Sequence, residues 1–396
     1  MSLPLISRSV DLAKLRNEGY EVEIRAGHLV IGEVPYVNTN REVKRGTLVS
    51  ELTLGGNVTA RPSTHVVMFA GEPPCDRNGD ELTRIMNSSQ RKDLGDGLKV
   101  DHTFSSKPVP SGQYDDYYHK MTTYIGMISC HAEAIDPEAT ARTFRVVDSE
   151  DPDSPFKYDD TASSRSEITA VSEKLKLGKL AVVGLGGTGS YVLDLVAKTP
   201  VREIHLFDED RFFQHNAFRS PGAASTEELN AHPKKVHYHR DRYAALRENI
   251  IVYDFNIDES NVELLCDMDF VFLCMDGGGT KKPVVTKLEE YGVPFVDVGM
   301  GVYIIEGSLG GTLRVTTSSD SKRDHVHKKQ RIPFSEDGGD NLYSRNIQVA
   351  DLNALNAALA VIKWKKLFGF YSDLEKECFS TYTIDGNTLT NEDREE

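Results

Sequence analysis

Hydrophobic spacing changes character once along this chain, and the change predicts two kinds of domain. In the first 150 residues the apolar positions fall in short runs. Residues 20–25 alternate apolar and charged side chains, Ala26-Gly27-His28 suits a turn, and residues 29–31 suit a returning strand. Further apolar runs at 47–54 and 65–69 are separated by Gly, Pro and Asn clusters. This pattern predicts a β-rich α+β domain over residues 1–150. Residues 148–167 are dense in Asp, Ser, Pro and Glu and predict an exposed stretch, with 151–178 assigned to linker and lead-in helix.

Beyond Leu177 short, uniformly apolar runs alternate with helical periods. Strands are expected at 179–183, 201–207, 250–257, 270–274 and 294–298, and helices at 190–198, 235–248, 280–291 and 347–370. Residues 302–317, rich in Gly and β-formers, suggest antiparallel strands, and 378–384 a late strand. Continuous apolar strands joined by helices imply a parallel sheet covered on both faces. The expected fold is a Rossmann-like, doubly wound, mostly parallel α/β domain over residues 179–396.

The first expected strand runs straight into Gly184-Leu185-Gly186-Gly187-Thr188-Gly189 and then a helix. Missing side chains allow a phosphate to approach the backbone, and the helix start adds unpaired N–H donors. Asp208, nineteen residues beyond Gly189, ends the next strand, where a carboxylate can accept from ribose hydroxyls. The loop also satisfies GxGxxG, so NAD stays an alternative. Phosphoryl chemistry needs cations on the phosphates and a carboxylate for magnesium. The sequence supplies Asp210, an Asn216-x-x-Arg219 arrangement, Lys235 at the next helix start, Asp276 after the 270–274 run, and Lys281. Each has a plainer alternative as a surface cation or a helix cap.

These pieces, GLGGTG at 184–189, LFDED at 206–210, Asn216-x-x-Arg219, Lys235 and the CMD segment ending in Asp276, resemble the ubiquitin-activating-enzyme-like superfamily of MoeB, ThiF and HesA proteins, as a bacterial ThiF-type member with an extra N-terminal domain. The resemblance implies ATP-dependent adenylation of the C-terminal glycine carboxylate of a ubiquitin-like protein. Pyrophosphate is released, and the product passes to a conjugating-enzyme-like partner. It implies that Asp208 holds ribose, that Arg219 and Lys235 contact phosphates, and that Asp276 organises Mg2+. It also implies that Arg165 reaches the ATP of a partner subunit in a homodimer. The nucleotide-binding set is then Gly184, Gly186, Gly187, Gly189, Asp208, Asp210, Asn216, Arg219, Lys235, Asp276 and Lys281. Arg219, Lys235, Asp276 and Arg165 are the catalytic candidates. The alternatives are an NAD(P)-dependent oxidoreductase, which would need neither Arg219, Lys235 nor Asp276, and a nucleotide-binding scaffold without catalysis.

Many members of that superfamily carry a nucleophilic cysteine after the fifth strand. Here 301–377 holds none, so no thioester on the adenylating domain is expected. A hydroxyl among Thr316, Thr317, Ser318, Ser319 and Ser321 is a further idea, with His325 and His327 near in sequence. The five cysteines form no CxxC pair, so no zinc site is expected and a reducing cytoplasm is the simplest compartment. The net charge of -15 argues against nucleic acid. No apolar run of about 18 residues suggests a membrane span. Residues 115–118, acidic and aromatic, are a candidate binding face in an N-terminal domain expected to recognise the ubiquitin-like protein or a conjugating partner.

Overall fold

The computed structural model describes residues 3–146, 153–166, 168–275, 279–334 and 347–395. The chain divides into two compact units, Met1–Pro152 with Tyr158–Ile168, and Asp153–Lys157 with Thr169–Glu396.

In the first unit six strands form an antiparallel sheet: β1 (Val22–Arg25), β2 (His28–Val37), β3 (Val43–Glu51), β4 (Val66–Ala70), β5 (Met86–Asp93) and β6 (Lys99–Ser105). They lie in the order β1-β2-β3-β4-β6-β5. Arg25 pairs with His28, so Ala26 and Gly27 make the whole β1–β2 turn, with φ of 48° and 73°. That primed turn matches the twist of the strands it joins. The two longest helices described in this unit are α1 (Val10–Asn17) and α2 (Tyr117–Glu133). α2 buries Tyr117, Met121, Tyr124 and Ile128 along one face, which completes a core with Leu29, Ile31, Leu48 and Phe104. Residues 115–118, the candidate binding face, lie at the start of this helix. Asp116 accepts from the backbone N–H of His119 at 2.7 Å and caps it, and Tyr117 is buried. Tyr, Thr and Gly depress helix propensity along α2, so the local signal is weak and tertiary packing decides.

In the second unit eight strands make one sheet: β7 (Lys179–Val183), β8 (Glu203–Phe207), β9 (Ile250–Tyr253), β10 (Phe270–Leu273), β11 (Phe295–Ile305), β12 (Ser308–Ser318), β13 (Glu377–Thr383) and β14 (Thr388–Arg394). The order is β9-β8-β7-β10-β11-β12-β13-β14. The first five are parallel and the rest antiparallel. Alternate side chains go to opposite faces, as the pleat requires. Leu180 and Val182 join Phe272, Val192 and Trp364 in one core, whereas Ala181 and Val183 join Val271, Val284 and Leu288 in another. Among the described residues the helices longer than eight residues are α3 (Gly187–Val196), α4 (Lys235–Tyr243), α5 (Lys281–Tyr291) and α6 (Ala350–Leu367). α4 stops five residues short of its expected end. Beyond it Arg247 is buried, its guanidinium donating to backbone carbonyls of Ala197 at 3.4 Å and Thr199 at 3.3 Å. β14 was not expected, because its sequence, Thr-Leu-Thr-Asn-Glu-Asp-Arg, has no apolar run.

Candidate functional site

β7 is where the strand order reverses. From β7 the chain steps to β8 on one side and later places β10 on the other. Such a switch point leaves a crevice outside the carboxyl ends of the strands. Here that crevice is a cavity of about 830 Å³.

The glycine loop forms one wall, and its four glycines are there for different reasons. Gly184 has φ of +90°, and a β-carbon on it would lie 2.7 Å from the carbonyl oxygen of Cys274. A β-carbon on Gly189 would lie 1.9 Å from the carbonyl oxygen of Gly184, and one on Gly187 would lie 2.1 Å from Nδ2 of Asn353. These three are required by packing. A β-carbon on Gly186 would meet nothing within 4 Å, yet Gly186 lines the cavity. Its bare backbone sits immediately before α3, whose first N–H groups have no partner within the helix.

Asp208 fastens this loop to the next strand. Its Oδ2 accepts from the N–H of Leu185 at 2.7 Å and its Oδ1 from the N–H of Asp210 at 2.9 Å. Lys235, the first residue of α4, stands 3.4 Å from Asp208 and 2.6 Å from Asp210. Asp208 and Lys235 are both buried. A carboxylate has about four lone-pair positions, so two backbone donors leave Asp208 able to accept further hydrogen bonds.

Asn216 does not line the cavity. Its Oδ1 accepts from the N–H of Phe213 at 2.8 Å, and its carbonyl accepts from the N–H of Arg219 at 3.1 Å. It therefore closes the turn that delivers Arg219 to the cavity wall. Among the described residues no carboxylate pairs with Arg219, and its buried Nε has no partner. Asn353 of α6 links both sides. Its Oδ1 accepts from Thr188 at 2.9 Å, and its Nδ2 reaches the carbonyl of Arg219 at 3.4 Å.

Lys281 lines the cavity, but its ammonium is held 2.8 Å from Asp297, a carboxylate with no exposed surface. Arg314 of β12 pairs with the same carboxylate at 2.7 Å. Sequence reasoning missed Asp297, Arg314, Asn353 and Asn356. Asp297 was the one signal available, a lone acid inside an apolar strand. The two asparagines, three apart on an apolar helix, occupy one face.

Of the expected nucleotide set, Gly184, Gly186, Gly187, Asp208, Asp210, Arg219, Lys235 and Lys281 share this cavity, while Gly189 and Asn216 support it from behind. Asp276 lies outside the described residues, as does the side chain of Arg165, whose backbone ends a short helix, Thr161–Arg165, in the first unit. Among the described residues no group of three or more His, Cys, Asp or Glu side chains is placed to hold a metal ion.

The candidate nucleophiles sit in unfavourable environments. Burial pushes the thiols of Cys75, Cys130, Cys274 and Cys378 upward, Cys378 to about 12. Desolvation and then Asp267 do the same to Cys266. Thr316, Thr317 and Ser318 are buried in β12. Thr316 donates to the carbonyl of Arg331 at 3.0 Å, Ser318 to Glu289 at 3.0 Å and Ser321 to Glu395 at 2.6 Å. His327 faces Glu289 at 2.7 Å, and His325 is buried. Among the described residues no histidine is hydrogen-bonded to one of these hydroxyls, so nothing there supplies a base for the hydroxyl idea.

Residues 162–331 match the ThiF family, and residues 10–161 match a domain of unknown function, DUF6791. A curated relative is ubiquitin-like modifier-activating enzyme 5 of Aedes aegypti, 23% identical over 159 residues, which are 37% of this chain and 40% of the relative. The match thus spans well under half of that relative's length. Among solved structures, E. coli MccB with ATP is similar at 17% identity and a TM-score of 0.44, over 57% of this chain and 66% of MccB. PaaA is similar at 18% identity and a TM-score of 0.43, over 57% of this chain and 75% of PaaA.

Proposed function

We propose, from the premise that the chain belongs to the ThiF/MoeB superfamily and carries an extra N-terminal domain, that it activates a carboxylate by adenylation with ATP. The observation that carries this reading is a single cavity into which the glycine loop, Asp208, Arg219 and Lys235 all open. The bare backbone at Gly186 and the start of α3 suit phosphate oxygens. Asp208 accepts from ribose hydroxyls. Arg219, which no carboxylate neutralises among the described residues, and Lys235 offset the repulsion between a carboxylate and a triphosphate. A carboxylate oxygen then bonds to the α-phosphorus, and the bond to the bridging oxygen breaks to release pyrophosphate. A hydride-transfer site has no use for that pair of cations. Asp276, just past β10, is proposed as the magnesium ligand.

The substrate class we propose is a ubiquitin-like protein ending in glycine, as the first step of a bacterial conjugation pathway. A conjugating-enzyme-like protein would receive the product, and the N-terminal unit would serve as the recognition module. A homodimer in which Arg165 reaches the partner subunit's nucleotide completes the reading. Titration of the full chain with ATP, AMP and NAD tests the core of it. ATP binding that is lost in Arg219→Ala supports adenylation. NAD binding that survives Arg219→Ala overturns it in favour of an oxidoreductase.

A further inference from the structure

Asp297 carries one negative charge and faces two cations, Lys281 at 2.8 Å and Arg314 at 2.7 Å. One cation would neutralise it. Among the described residues the second leaves a net positive charge in a wall where Asp297 is fully buried, Lys281 is 3% exposed and Arg314 is 16% exposed. An uncompensated buried charge is costly unless an opposite charge can reach it. Both cations line the cavity, and that is where an anion can arrive.

The arrangement around Arg314 is built rather than incidental. Nη1 donates to Oγ1 of Thr316 at 2.6 Å and to the carbonyl of Arg331 at 2.8 Å, and Nη2 donates to Oδ2 of Asp297 at 2.7 Å. Three of five N–H groups are thereby spent on orientation, and two stay unengaged among the described residues. Gly299 makes the room. A β-carbon there would lie 2.5 Å from Nη2, and the Gly299 carbonyl is itself held by Asn356 at 3.1 Å. Arg331 is braced in turn by Glu392 and Asp393 of the last strand. Arg314 sits on β12, three strands along the sheet from β7 and its glycine loop, or roughly 14 Å at the usual strand spacing. A second oxyanion, beyond the one over the loop, would meet it.

We propose that Arg314 and Lys281, clamped on Asp297, form an oxyanion-receiving subsite of this cavity. Its ligand is either the carboxylate to be activated or the distal phosphates that leave. The inference deepens the adenylation reading and rests on it for the identity of the ligand. The test is binding by the full chain, measured by calorimetry and ligand-observed NMR, of three probes: AMP, pyrophosphate, and N-acetylglycine as the smallest glycine carboxylate. The variants are Arg314→Gln and Gly299→Ala, the second displacing the guanidinium without removing charge, each first checked by thermal melting. AMP should bind wild type and both variants alike. Pyrophosphate or N-acetylglycine should bind wild type and weaken about tenfold in both variants, as expected for a lost charge-assisted contact. Loss of pyrophosphate alone assigns the leaving phosphates, and loss of N-acetylglycine alone assigns the acyl carboxylate. If neither probe binds wild type, or both bind the variants as tightly, the subsite is overturned. Failure of AMP to bind wild type would instead count against the nucleotide reading.

Discussion

Nδ2 of Asn353 stands 2.1 Å from where a β-carbon on Gly187 would lie. With Thr188 donating to Oδ1 of the same asparagine at 2.9 Å, the glycine loop and α6 form one packed piece, although 166 positions of sequence separate Gly187 from Asn353. A loop held that tightly has no slack to absorb a methyl group.

Two neighbouring alanine substitutions should therefore separate packing from binding. Gly187→Ala drives a methyl into a buried amide and should cost about 1–3 kcal/mol of stability, as overpacking does. Gly186→Ala meets nothing within 4 Å and should fold normally while weakening ATP binding, because the methyl projects where phosphate must lie. Thermal melting and ATP titration of both variants check this. Equal ATP affinity in folded Gly186→Ala would show that the open face of the loop is not the phosphate site.

Arg219 should behave as a ligand-facing group rather than a structural one. No carboxylate holds it among the described residues, so Arg219→Ala should leave the melting temperature nearly unchanged. Loss of a charged hydrogen bond costs about 1.5–3 kcal/mol, so ATP affinity should fall roughly 10- to 100-fold. Arg219→Lys should recover only part of this, since an ammonium lacks the planar fork. A large drop in melting temperature would mean instead that Arg219 is structural.

No covalent thioester should accumulate. All five thiols sit above their ordinary range, so the thiolate is scarce at neutral pH. Replacing Cys75, Cys130, Cys266 and Cys378 by serine or alanine should leave ATP–pyrophosphate exchange intact, apart from packing losses at buried Cys75 and Cys378. A hydroxylamine-sensitive adduct in the wild type that disappears with one cysteine would refute this.

The sequence spoke clearly wherever function and local pattern coincide. The β7–glycine loop–α3 unit, Asp208 at a strand end, and Arg219 and Lys235 in order are all short-range signals, and all of them open onto one cavity. What stayed hidden was long-range. Asp297 and Arg314 meet only because β11 and β12 fold back on one another, with Asp297 pairing opposite Thr316 across the ladder. Asn353 looked like a polar interruption of a helix until its partners came from two other segments. Asn216 was assigned to nucleotide because it is spaced with Arg219, whereas its side chain serves the turn. α2 escaped notice because its Tyr and Thr hydroxyls look polar in sequence. In the fold they are satisfied, as by the hydroxyl of Tyr117 donating to the carbonyl of Glu51 at 2.9 Å.

His239 should make the protein sensitive to mild acid. It lies on α4, fully buried, with neither ring nitrogen partnered among the described residues. Its ring stands edge-on to Phe212 at 5.7 Å and Tyr238 at 5.2 Å. Burial first, and then nearby Lys235 and Arg242, lower its pKa to about 3. In the unfolded chain it titrates near the ordinary histidine value of about 6.5. The stability from keeping it neutral is whole above about pH 6.5 and is lost progressively as pH falls toward 3, because the unfolded state takes up a proton that the folded state refuses. At pH 5 the loss from this one group amounts to about 2 kcal/mol. His239→Phe keeps the aromatic contacts and removes the proton site. Its unfolding midpoint should therefore fall less than that of wild type between pH 7 and pH 5. Parallel pH profiles for the two proteins would mean that His239 finds a partner or solvent in solution. Because α4 begins with Lys235, acid opening around His239 should also loosen the Asp208–Lys235 pair, and ATP affinity should decline over the same pH range in wild type but less in the variant.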